Sequence, residues 1–116
     1  MSDSVKELSE RLKKVVEDRD WKQFHNPTQL AVDISVEAGE LLEVFQWKLE
    51  KDLPKLMVDR KEKIEEELAD VFLSCLKFAN SAGIDIVAAA WKKVEGMERK
   101  YPVEKAKGSN RKYNEL

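Results

Sequence analysis

The stretch Thr28-Gln29-Leu30-Ala31-Val32-Asp33-Ile34-Ser35-Val36-Glu37-Ala38-Gly39-Glu40-Leu41-Leu42-Glu43-Val44-Phe45-Gln46-Trp47 decides the fold. Its apolar residues Leu30, Ile34, Ala38, Leu41 and Phe45 advance by fours and threes, the period of one helical face turned to a core. Asn26-Pro27 before it has the form of a helix start, with proline in the first turn. Gly39 interrupts the stripe at a cost of about 1 kcal/mol relative to alanine. It marks either tolerated weakness or a place where another backbone or a ligand comes close.

The same period recurs on both sides. Ser4-Val5-Lys6-Glu7 has the form of a capping box, and Val5, Leu8, Leu12, Val15 and Val16 continue it, which predicts a first helix over about residues 4–19. Lys51-Asp52-Leu53-Pro54 breaks the pattern. A third helix follows from about Asp59 to Ser81 on the stripe Ile64, Leu68, Val71, Cys75, Ala79 and Ala82, and Gly83 ends it. Asp85 then caps a fourth helix carrying Ile86, Ala90, Val94 and Met97, which Tyr101-Pro102 stops. Four helices in one domain over residues 1–102, with a polar, flexible tail over 103–116, make an all-α bundle.

Composition agrees. Charged residues make up 38% of the 116 and hydrophobic residues 42%, too apolar for disorder and rich in the residues of solvated helical faces. The net charge of −2 argues against a nucleic-acid polymer as partner. The single cysteine, Cys75, excludes an internal disulfide, Met1 to Lys14 lacks an apolar leader, and no apolar run approaches the roughly 20 residues of a membrane span. The expectation is a soluble, cytoplasmic protein with no membrane partner.

The chemistry lies in two acidic pairs, Glu37-x-x-Glu40 and Glu67-x-x-Asp70. At about 100° per residue, Glu37 and Glu40 fall about 60° and 120° to one side of Ile34, and Glu67 and Asp70 take the same offsets from Ile64. An antiparallel packing of the two helices brings both flanks to one edge of the interface; a parallel packing separates them. Asp33 and Ser74 lie on the same flanks. Four clustered acids repel, so a positive group should offset them, and a hard ion such as Mg²⁺, with Mn²⁺ also suitable, takes carboxylate oxygens together with phosphates. Di-iron chemistry is discounted because His25, the one histidine, lies outside both motifs. With 23 acidic residues, such pairs also arise by chance on solvated faces, and it is the matched phase that singles these out.

Three blocks carry a family resemblance: Arg19-Asp20-Trp21-Lys22-Gln23-Phe24-His25-Asn26-Pro27, Glu37-Ala38-Gly39-Glu40-Leu41-Leu42-Glu43-Val44-Phe45-Gln46-Trp47 and Glu66-Glu67-Leu68-Ala69-Asp70-Val71. Over roughly Val5 to Pro102 the chain resembles the MazG-like, all-α nucleoside triphosphate pyrophosphohydrolases, and within them the dCTP pyrophosphatase branch. The resemblance implies hydrolysis of a nucleoside triphosphate to the monophosphate and pyrophosphate, with Glu37, Glu40, Glu67 and Asp70 as catalytic Mg²⁺ ligands. It implies a base and sugar pocket at Trp21, His25 and Trp47, phosphate contacts from Lys93 and Lys100, and a homodimer or homotetramer with sites at subunit interfaces.

The chain departs from that pattern at Met97, where the family has asparagine, at Lys100, where it has arginine, at Ser74, where dCTP-type members have tyrosine, and at Leu12, which is sometimes histidine. Two alternatives to a dCTP-directed enzyme follow: a broad house-cleaning hydrolase of non-standard nucleotides, and a non-catalytic helical interaction protein with an acidic edge. Phe72, Leu76, Val36 and Trp91 are expected on outer faces, available for self-association.

Overall fold

The computed structural model describes residues 4–116, which are helical and, among the described residues, without strands. The helices are α1 (Val5–Asp18), α2 (Pro27–Phe45), α3 (Leu53–Asp59), α4 (Lys61–Ala82), α5 (Ile86–Lys100) and α6 (Val103–Ala106), with single 3₁₀ turns at Lys22–Phe24, Glu50–Asp52 and Tyr113–Glu115. The chain divides into two compact units, Met1–Ile84 and Asp85–Leu116.

Local capping explains most boundaries. Ser4 Oγ accepts from the Glu7 N–H at 3.3 Å, Asn26 Oδ1 from the Gln29 N–H at 2.8 Å and Asp85 Oδ1 from the Ala88 N–H at 3.0 Å, each satisfying a donor that an isolated first turn leaves open. Gly83 ends α4 in the left-handed region (φ 67°), where the Ile84 N–H reaches back to the Ala79 carbonyl at 2.9 Å. One element is unanticipated. The Lys51 to Pro54 segment, read above as a break, leads directly into α3, because proline in a first helical turn surrenders only an N–H that would be unpaired there.

In the first unit α2 packs most extensively on α4, and α1 covers the later turns of α4, where Ser9 Oγ donates to Asn80 Oδ1 at 2.7 Å. The core holds Leu12, Val16, Leu30, Val44, Leu76 and Ala79. Leu76, assigned above to an outer face, is only 1% exposed, because α1 supplies a second layer over that side of α4. The α2–α4 seam also departs from the expected stripe. Ala38 and Leu68 are exposed, whereas Glu37 is half-buried and Glu67 and Ser74 are buried. The inward line therefore runs through residues 30, 33/34, 37 and 41 of α2 and 64, 67, 71 and 74 of α4, rotated about 40° toward the acidic flank in both helices.

A Cβ built at Gly39 meets nothing within 4 Å, so no close backbone approach within the chain requires glycine there. Gly39→Ala is expected to raise stability by about 1 kcal/mol in a denaturant titration. A loss of stability instead would show that another chain approaches this turn.

The second unit is built around α5, none of whose residues is fully buried. The Tyr113 ring stands edge-on to Tyr101 at 6.2 Å, and the Lys100 ammonium lies 4.7 Å from the Tyr113 ring centroid, so residues beyond Pro102 return to the end of α5. Among the described residues, no single helix is long and apolar enough to cross a membrane.

Candidate active site

Helix geometry places Glu37 and Glu40 on adjacent turns of α2, and Glu67 and Asp70 likewise on α4. Packing joins the two pairs: one carboxylate oxygen from each of Glu37, Glu40, Glu67 and Asp70 can be chosen so that all lie within 4.8 Å of one another. Glu40 interacts with Glu37 on its own helix and with Glu67 across the seam. That cross-pairing of 40 with 67 is the one an antiparallel alignment produces, since parallel helices would set 37 against 67.

The cluster is electrostatically uneven. Glu40 is held above the usual carboxylate range, first by hydrogen bonding and charge repulsion from Glu37, then by loss of solvent and the charge of Glu67. Glu67 is held below it by a hydrogen bond from Lys63, whose Nζ lies 2.8 Å from Glu67 Oε1, and this outweighs the opposing effect of burial. The same contact raises the pKa of Lys63. Lys63 escaped the sequence reading, although its i,i+4 spacing to Glu67 is the signal that reveals it.

Lys63 satisfies only one oxygen. Glu67 Oε2 and Glu37 Oε2 are buried and have no hydrogen-bond partner among the described residues. Orphaned carboxylate oxygens are costly, and an all-oxygen anionic donor set fits a hard divalent cation. Oxygens on opposite sides of Mg²⁺ at about 2.1 Å stand about 4.2 Å apart, so the observed spread needs only a small closure. The residues present fit such an ion. Asp33 flanks the cluster, its Oδ1 accepting from Gln29 Nε2 at 2.8 Å, and Ser74 is buried one turn beyond Asp70.

The MazG-like family model matches residues 32–116, which include both acidic pairs and nearly three-quarters of the chain. The chain belongs to the MazG-like family. Human dCTP pyrophosphatase 1 is 37% identical over 101 residues, covering 85% of this chain and 59% of that protein, and the rat protein of the same name is 36% identical over the same shares. The chain thus spans about three-fifths of the length of these curated relatives. A pyrophosphatase from Archaeoglobus fulgidus DSM 4304, known from its crystal structure, superposes with a TM-score of 0.80 at 38% identity, covering 88% of this chain and 95% of that one.

In this MazG-like chain the remaining expected site residues are dispersed. Trp21 is 41% exposed ahead of the first 3₁₀ turn, with the Arg19 guanidinium 5.8 Å from its ring centroid. His25 is half-buried and lines a cavity with residues of α1 and α4. Trp47 is 90% exposed on a backbone of positive φ (65°), a conformation unfavourable for a bulky residue. Neither tryptophan lines the cavity at His25. Lys93 and Lys100, seven residues apart on α5, share one face of the second unit with the exposed Met97 close to their line.

Proposed function

We propose that this MazG-like protein is a Mg²⁺-dependent nucleoside triphosphate pyrophosphohydrolase, acting on dCTP or a modified dCTP and releasing the monophosphate and pyrophosphate. The observation that carries this reading is the convergence of Glu37, Glu40, Glu67 and Asp70 with two orphaned buried oxygens, in a chain similar to dCTP pyrophosphatases. Bound Mg²⁺, or Mn²⁺ in its place, would neutralise phosphate charge and lower the pKa of an attacking water.

The protein's own part is positional. Glu37, Glu40, Glu67 and Asp70 would hold the ion between two packed helices, and Lys63 keeps Glu67 ionised for that task. A carboxylate of the cluster would accept the water's proton. Trp21, His25 and Trp47 supply faces for the base and sugar, and Lys93 and Lys100 supply cations for phosphate. Because Trp47 and Val36, Leu68, Phe72 and Trp91 are all at least 43% exposed, the working form is a homo-oligomer in which a second copy covers them.

The test is pyrophosphate versus orthophosphate release from a panel of NTPs, dNTPs and modified dCTPs, with Mg²⁺ and with EDTA. Mg²⁺-dependent pyrophosphate release, highest on cytosine deoxynucleotides, is expected. An even ranking across bases would favour the house-cleaning alternative, to which Met97 and Ser74 point, and no turnover by folded protein would overturn the enzyme reading.

A further inference from the structure

The two oxygens of Glu67 are in different situations. Lys63 stands one turn before Glu67 on α4, and its Nζ lies 2.8 Å from Glu67 Oε1, the length of a charge-assisted hydrogen bond. The other oxygen, Oε2, is buried and has no hydrogen-bond partner among the described residues. The Glu67 side chain is only 8% exposed, whereas that of Lys63 is 46% exposed, so the ammonium reaches a sheltered carboxylate from the rim. Lys63 makes no other ion pair among the described residues. Glu67 is the most buried of the four clustered acids, and it is the one a lysine restrains.

A carboxylate pinned in this way offers a cation one oxygen without disturbance, and both only by giving up the ammonium. That difference bears on the choice of ion. Ca²⁺ gathers about six to eight oxygens and readily takes a carboxylate through both of them. Mg²⁺ is smaller and near-octahedral, with little room for the narrow bite of a two-oxygen carboxylate. We propose that Lys63 is a positioning residue for ion selectivity: by holding Glu67 Oε1 it leaves Oε2 as the one free oxygen, and so turns the four-carboxylate site toward Mg²⁺ and away from Ca²⁺.

Net charge does not produce such a preference. The four acids attract any divalent cation, and the ammonium of Lys63 repels Mg²⁺ and Ca²⁺ alike, so the ratio of the two affinities separates the supply of oxygens from the electrostatics. Partners behind a metal ligand act in this way, by fixing the ligand's orientation rather than by touching the ion. The inference rests on the cluster being a metal site, as proposed above, and does not depend on turnover.

Calorimetric titration of chelator-treated protein with Mg²⁺ and with Ca²⁺ at one pH tests this, with the rise in Tm as a second readout. The proteins compared are wild type, Lys63→Met, Lys63→Arg and Lys61→Met. Lys61 serves as the control, because its loss removes the same charge two residues away and its partner at 3.9 Å, Glu65, lies outside the cluster. Wild type should prefer Mg²⁺, and Lys63→Met should shift the ratio of affinities toward Ca²⁺ by about tenfold. Lys63→Arg and Lys61→Met should keep the wild-type ratio. An unchanged ratio in Lys63→Met, an equal shift in Lys61→Met, or a wild type that favours Ca²⁺ overturns the proposal. A wild type that binds neither ion overturns it together with the metal assignment. The expected shift in a protein that turns over no triphosphate would instead uphold the role of Lys63 and sink the catalytic reading. Should Lys63→Met fail to fold, Lys63→Gln against Lys63→Arg gives the same decision.

Discussion

Glu67→Gln is expected to lower Mg²⁺-dependent pyrophosphate release by about 10²- to 10³-fold, the rate equivalent of the several kcal/mol that a bound metal contributes to transition-state charge stabilisation. Glutamine preserves the volume of this buried side chain and can still accept from Lys63, so the fold should persist by circular dichroism. What it removes is the negative charge. Glu67 is the most buried of the four acids and the one whose ionised form the protein actively supports, so its loss disables the metal site rather than perturbing an exposed edge. Two measurements check it: single-turnover pyrophosphate release, and the Mg²⁺-induced rise in Tm, which should vanish in the variant. Retained turnover beside a vanished Tm response would separate catalysis from this cluster, and retention of both would remove the metal assignment.

The parts of this architecture written in local chemistry were legible before the structure. Ser4, Asn26, Gly83 and Asp85 act within one turn of chain, so their roles as caps follow from identity and spacing alone. The acidic cluster was legible for a related reason: matched angular offsets on two helices need only an antiparallel seam to converge. What escaped depended on third parties. The seam is rotated toward Glu37 and Glu67 because burial is shared among all packed neighbours, and α1 covers Leu76 on another side of α4. An apolar stripe read on one helix at a time cannot register that competition. The helix α3 was masked by Pro54, whose meaning reverses between a helix's first turn and its interior. Trp47 illustrates the remaining gap, since its place in the chain was evident and its 90% exposure was not.

The metal-free protein is expected to become more stable as pH falls from neutral through the raised pKa of Glu40, and less stable once pH falls below the ordinary carboxylate range. Glu40 binds its proton more tightly in the folded state than in the unfolded chain, because Glu37 and Glu67 crowd it. Its contribution is therefore fully present below the unfolded pKa and is lost as pH rises through the folded one. Glu67 has the opposite sign: its pKa is depressed by Lys63, so its contribution is present above the unfolded value and disappears as pH falls through the folded value. Tm in EDTA over about pH 2.5 to 8 should accordingly pass through a maximum near the ordinary carboxylate range. Mg²⁺ reverses the first limb, because it binds the ionised carboxylates; at a hundredfold over its Kd it adds about 2.7 kcal/mol, a gain that should shrink as Glu40 takes up its proton. Lys63→Met separates the two acids. It leaves Glu40 facing Glu37 and Glu67 but removes the hydrogen bond that depresses Glu67, so the acid limb should shrink or disappear. An EDTA profile without a maximum, or an acid limb undiminished by Lys63→Met, would contradict this account of the charge balance inside the cluster.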